Sequence, residues 1–152
     1  MRMMNLAHSV YQHQYHVVWG TKFRYNFLKP YVKADLLRSF TETIEHYPTL
    51  HLDTVNIDND HVHIQLEIPP DIPVAKAVQV LKQNASKLLK ARFPFIRRMY
   101  LTDSIWSVGY FSSTIGLNEQ VIRQYIQHQG EQEQPKQLRL GIRMRHQRKP
   151  RT

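Results

Sequence analysis

Hydrophobic and polar positions alternate most cleanly between His61 and Ile68. His61, His63, Gln65 and Glu67 fall on one side, and Val62, Ile64, Leu66 and Ile68 on the other, which is the two-residue period of a half-buried strand. Asp58-Asn59-Asp60 ahead of it is a turn signal. Before that turn Leu50, Leu52, Val55 and Ile57 alternate with a break near Asp53, so an antiparallel hairpin is predicted over Leu50 to Ile68. Tyr11 to Trp19 (YQHQYHVVW) reads as an earlier strand, rich in aromatic and branched side chains.

Elsewhere the period lengthens to that of a helix. Pro30 to His46 carries an apolar stripe of Val32, Leu36, Leu37, Phe40 and Ile44, with Pro30 suited to the first turn and Pro48 beyond the end. Pro73 to Phe93 carries a second, made of Val74, Ala77, Val78, Leu81, Leu88 and Leu89. Thr21 to Lys29 is basic and aromatic, a loop or hairpin. Ser104 to Gly116 reads as a turn and then a strand, and Asn118 caps a last helix running to about Gln132. The first six elements have the β-α-β-β-α-β order of a ferredoxin-like α+β fold. That order predicts an antiparallel sheet with helices on one face and the other face left for partners, plus a C-terminal helix.

Composition narrows the function classes. A chain of 152 residues with 41% hydrophobic and 11% aromatic residues is expected to form one packed domain. The absence of cysteine excludes disulfides, thiolate metal sites and a cysteine nucleophile. No apolar run is long enough to span a membrane, and the first fifteen residues, MRMMNLAHSVYQHQY, lack an apolar signal core, so a cytoplasmic location is expected. The net charge of +9 is uneven. Lys136 to Thr152 holds seven Lys/Arg and no acid. This divides the chain into a nearly balanced domain, residues 1–134, and a basic, flexible arm, residues 135–152. Such an arm favours polyanions, although a solvated tail fits the same composition.

Two local patterns carry chemistry. His61-Val62-His63 puts two imidazoles on one face of a strand, about 7 Å apart at their bases, while Val62 anchors the strand. The imidazoles can converge on one divalent cation, and the same spacing also suits two surface histidines. Asp58 and Asp60 are placed to hold the histidines or an ion's waters. In the last helix (NEQVIRQYIQHQGEQ) Tyr125 and Gln129 are one turn apart on one face, with Val121, Ile122 and Ile126 on the buried side. Tyr125 fits a core tyrosine with its hydroxyl at the rim. It also fits a nucleophile, provided a Lewis acid polarises the electrophile, since a phenol of pKa ~10 attacks poorly alone. Gln129 offers an amide oxygen as a third ligand. His128 points about 100° away and is the reserve candidate.

Four stretches, YHVVWGTKFRYNFL (Tyr15 to Leu28), DNDHVHIQLEI (Asp58 to Ile68), WSVGYFSSTIG (Trp106 to Gly116) and YIQHQ (Tyr125 to Gln129), resemble, in that order, the HUH single-tyrosine transposases of the insertion sequence 200 / insertion sequence 605 family. The resemblance covers Val10 to Glu133. It implies an enzyme that cuts and rejoins single-stranded DNA at insertion-sequence ends. His61, His63 and Gln129 would hold Mg²⁺ or Mn²⁺, and Tyr125 would attack phosphorus to give a 5′-phosphotyrosine and a free 3′-OH. It further implies recognition of subterminal DNA hairpins, and a homodimer in which the tyrosine helix docks on the partner, with Gly116 as a candidate hinge or an ordinary turn. Lys22, Phe23, Arg24, Tyr25, Lys87, Lys90, Arg92, Arg97 and Arg98, with Arg139, Arg143 and Arg145 in the basic arm, are the candidate DNA contacts. Each also fits a solvated charge or a packing aromatic.

Two other functions fit parts of the pattern. A domesticated, non-catalytic binder of structured single strands would use the sheet and arm without Tyr125. A small metallohydrolase would use the histidine pair with water and would also not need Tyr125.

Overall fold

The structure, a computed structural model, describes residues 4–6, 9–11, 13–102 and 104–133. The predicted domain boundary at residue 134 and the basic arm, with Arg139, Arg143 and Arg145, lie outside the described residues. A small hairpin of β1 (Met4–Leu6) and β2 (Ser9–Tyr11) forms its own two-stranded sheet. There follow β3 (Gln14–Gly20), α1 (Pro30–Glu45), β4 (His51–Ile57), β5 (His61–Glu67), α2 (Val74–Arg92), α3 (Pro94–Met99), β6 (Phe111–Ser113) and α4 (Glu119–Gln132). The main sheet has the order β4-β5-β3-β6 with every pairing antiparallel. This is the ferredoxin-like α+β arrangement.

Three local outcomes refine the sequence pattern. The strand expected over Tyr11 to Trp19 is two elements, since Tyr11 closes β2 and Gln14 opens β3. The break near Asp53 is a register shift between Leu52 and Thr54; the Asp53 carboxylate there takes hydrogen bonds from Gln14 and His51. The short α3 was not foreseen. Phe93 ends α2 and Pro94 starts α3 at its first turn, and six residues are too few to show a helical period.

Val17 and Trp19 of β3, with Val62, Ile64 and Leu66 of β5, point into the main core. They meet Val32, Leu36 and Phe40 of α1 and Ala77, Val78, Leu81, Ala85 and Leu89 of α2. Each of the larger side chains here, the alanines aside, contributes roughly 1.5–3 kcal/mol when fully buried. Leu37 and Leu88, expected in this core, lie outside it: Leu37 is 45% exposed and Leu88 half-buried. The buried arc of α1 is turned toward α2 instead. There Thr43 takes a hydrogen bond from Asn84 and donates to Ser39 O, and Asp35 pairs with Arg92.

The opposite sheet face is not left bare. Val18 of β3 packs with Ile122 and Ile126 of α4, flanked by Leu117 and Tyr125. Asn118 caps α4 as its sequence predicts, its Oδ1 accepting from Val121 N at 2.8 Å. Among the described residues, no helix is long and apolar enough to cross a membrane.

Candidate active site

The site is built on the α4 side of the sheet. Register places His16 opposite Gln65, Val18 opposite His63 and Gly20 opposite His61, so these six side-chain positions share one face. His61 is held firmly: its Nδ1 donates to Asp60 Oδ1 at 2.8 Å, which leaves Nε2 as the free ring nitrogen. Asp60 also takes a hydrogen bond from Arg24 Nε at 3.2 Å. The His61 and Arg24 partners hold the Asp60 carboxyl below the usual carboxylate range, against the opposing effect of burial. The loop after β3 is bent to deliver Arg24. Phe23 and Arg24 adopt φ of 61° and 55°, a left-handed conformation that costs a non-glycine residue about 1–2 kcal/mol. Tyr100 offsets this from inside, donating to Lys22 O at 2.7 Å and packing on Phe23 and Tyr25.

His63 is set differently. Its Nε2 is buried and, among the described residues, has no hydrogen-bond partner. The His16 ring lies 5.7 Å from it, centroid to centroid. Burial first, and the neighbouring His16 and His61 second, hold His63 below the ordinary histidine range. The shift favours the neutral imidazole, the form that binds metals. An anchored imidazole with a free Nε2 beside one with an orphaned Nε2 is a donor set that suits a divalent cation. Carboxylates do not complete it: among the described residues no group of three or more His, Asp or Glu converges on one point. Gln129 is the amide that the sequence singles out as a further donor.

Tyr125 and Gln129 meet each other on α4, Gln129 Nε2 donating to the Tyr125 hydroxyl at 3.3 Å. The Tyr125 ring lies against Phe111 of β6, 5.8 Å between centroids. Burial raises the phenol's pKa above its ordinary value, Glu133 raises it further and the Gln129 bond opposes both. Each half of the predicted site is thus assembled on its own element, the imidazoles on β5 and the tyrosine–glutamine pair on α4. A cleft of about 500 Å³ beside the histidines is walled by Asn56, Asp58 and, from the other side, Leu117, Glu119, Ile122 and Arg123. Tyr125 lies over Phe111 of β6 and beside Val18 of β3, the residue paired with His63. His128, the reserve ligand, is exposed on α4.

The candidate DNA contacts divide. Lys90 donates to Tyr100 O, Arg92 pairs with Asp35, and Arg97 donates to Lys90 O, so these three clamp α2, α3 and α1 together. Lys87 and Arg98 are exposed on the α2–α3 side of the sheet, and Lys22 lies over the Phe23 ring. Three features escaped the sequence reading. One is His16, visible only as part of YHVVW. Another is Gly130, buried where α4 crosses Arg24, so that a Cβ would overlap the arginine Cδ. The third is Lys82, which donates to Ser107 O and Gly109 O and lines a groove of about 610 Å³ with Trp106 and Tyr110; burial brings its pKa down to about 8.

The comparisons with known proteins bear on family and fold. The model of the IS200-like transposase family matches residues 9–129. The transposase for insertion sequence element IS200 of Salmonella typhimurium is 30% identical over 132 residues, covering 85% of this chain and 84% of that protein. The ISDra2 transposase TnpA of Deinococcus radiodurans is 28% identical over 125 residues, covering 82% and 89%. A crystal structure of a protein assigned as a transposase from Deinococcus radiodurans R1 superposes with a TM-score of 0.73 at 25% identity, over 84% of this chain and 98% of that one. A tyrosine transposase bound to a REP hairpin shares the fold, with a TM-score of 0.51 at 13% identity, over 81% and 68%. The antiparallel α+β fold and the family match together make this a transposase domain. The chain belongs to the IS200-like transposase family.

Proposed function

We propose that the protein cleaves and rejoins single-stranded DNA at the ends of an insertion sequence through a 5′-phosphotyrosine on Tyr125. The observation that carries this reading is the pairing of an anchored and an orphaned imidazole on β5 with a tyrosine–glutamine pair on the helix that crosses the same face. His61 and His63 would hold Mg²⁺ or Mn²⁺, with Gln129 as the third protein ligand. Such an ion supplies Lewis-acid polarisation of the scissile phosphate and fixes its orientation.

The chain's own groups do the rest. The Tyr125 oxygen attacks phosphorus as the bond to the 3′ oxygen breaks. The phenol's proton is lost and the leaving 3′ oxygen gains one, so a 3′-OH is released and the phosphodiester energy is kept in the tyrosyl ester. Attack by a second 3′-OH reverses the step and joins the strands. Where α4 lies, burial raises the Tyr125 phenol above its ordinary pKa. In a homodimer, α4 would dock on the partner subunit about Gly116-Leu117, so that one chain's histidines act with the other's Tyr125. Imperfect hairpins at the element ends are the proposed recognition element, with Lys22, Lys87, Arg98 and the basic arm contacting phosphates.

The test is a denaturing gel of the protein with single strands from both flanks of its own gene, in Mg²⁺ or EDTA. A covalent band that needs metal and vanishes in Tyr125→Phe is expected. Metal-dependent cleavage that persists in Tyr125→Phe would point to the metallohydrolase alternative, and hairpin binding without any adduct would point to the non-catalytic binder.

A further inference from the structure

A continuous chain of contacts joins the nucleophile helix to a ligand histidine. Gly130, in the last turn of α4, sits directly on the aliphatic stem of Arg24, so closely that any larger residue would overlap Cδ and Cγ. Arg24 Nε reaches Asp60 Oδ2 at 3.2 Å, and Asp60 Oδ1 accepts the Nδ1 proton of His61 at 2.8 Å. The backbone of the same turn is tied in as well, because Thr21 N and Thr21 Oγ1 both donate to Asp60 O. Glycine inside a helix weakens it relative to alanine, so its presence here fits a need for close approach. The left-handed φ of Phe23 and Arg24 has the same sense: a strained loop aims one guanidinium at one carboxylate.

We propose that Arg24 is a positioning residue of the metal site, acting through Asp60 to fix the ring and tautomer of His61, and that the seating of Gly130 on Arg24 makes this hold depend on whether α4 is docked. This rests on the proposed role of His61 as a metal ligand. A carboxylate on one imidazole nitrogen keeps the proton there and leaves the other nitrogen as the metal donor. Arg24 holds that carboxylate in place. Undocking α4 frees the Arg24 stem and loosens Asp60, so the histidine site is best ordered when a helix lies across it.

The test uses the full chain labelled with ¹⁵N-histidine. Long-range ¹H–¹⁵N spectra without metal report the His61 tautomer, and electron paramagnetic resonance titration reports Mn²⁺ affinity. The Nδ1–H form is expected in the wild type. Arg24→Ala and Gly130→Ala are each expected to mix the tautomers and weaken Mn²⁺ binding about tenfold, with Arg24→Lys recovering part of both. Gly130→Ala favours the helix itself, so a folded protein is expected and circular dichroism checks it. Unchanged tautomer and affinity in both alanine variants would overturn the inference. The metal reading is tested separately by His61→Ala: Mn²⁺ binding that survives this change sinks the ligand assignment, whereas binding lost in His61→Ala but intact in Arg24→Ala and Gly130→Ala sinks only the coupling.

Discussion

Gln129 donates a hydrogen bond to the Tyr125 hydroxyl, so the proposed third ligand and the proposed nucleophile are engaged with each other while the histidines lie beneath the start of the same helix. The tyrosine half of the site is packed on β6 and the histidine half is built on β5. An arrangement in which the halves come from different subunits has a simple signature. Neither Tyr125→Phe nor His63→Ala alone should form a DNA adduct. After subunit exchange, their mixture should recover roughly a quarter of wild-type adduct, because half of the dimers are mixed and each holds one complete site. No recovery after proven exchange would mean that each chain uses its own tyrosine.

Metal binding should depend on the two imidazoles far more than on the neighbouring Asp58 carboxylate. His61→Ala and His63→Ala are each expected to weaken Mn²⁺ binding at least tenfold, while Asp58→Asn, whose carboxylate lies 3.8 Å from His61 Nε2, should change it by less than about threefold. Isothermal titration measures all three. Equal losses in Asp58→Asn and His63→Ala would move the ion toward the turn.

The depressed His63 pKa sets a stability prediction for the metal-free protein. The unfolded chain takes up its histidine proton near pH ~6.5, before folded His63 does. Stability attributable to this group is therefore unaffected above that pH. It is lost as pH falls below the unfolded value, with the loss complete below the folded value. His63→Gln should flatten the decline in urea midpoint between pH 7.5 and 5.5 in EDTA. A slope identical to wild type would show that His63 carries no such penalty.

The basic arm makes its own prediction. Removing residues 135–152 takes away seven cationic side chains and should reduce the slope of log K against log salt for single-stranded DNA by up to ~5. Fluorescence anisotropy at several salt concentrations reads it. An unchanged slope would leave the arm without a role in DNA binding.

Much of this site is legible in the chain, for physical reasons. The period of two through His61-Val62-His63 fixes which face the imidazoles share. Asn118 marks the start of α4, and the helical period puts Gln129 one turn from Tyr125. The break at Asp53 shows as a lapse in alternation. What escaped depends on tertiary approach. Nothing in the spacing of Arg24, Asp60 and Gly130 says that they touch, because the contact is made where a helix crosses a loop far away in sequence. The left-handed turn at Phe23 and Arg24 uses residues that carry no glycine signal. Leu37 and Leu88 fit their helical stripes, yet packing of α1 on α2 through Thr43 and Asn84 turns both toward the edge.

Mass spectrometry of the trapped protein–DNA adduct tests the central claim most directly. After nuclease and trypsin digestion, a residual nucleotide is expected as a phosphodiester on the peptide carrying Tyr125, joined through its 5′ phosphate and formed only with Mg²⁺ or Mn²⁺. A nucleotide on any other residue, or cleavage with no nucleotide attached at all, would contradict the assignment of Tyr125 as the nucleophile.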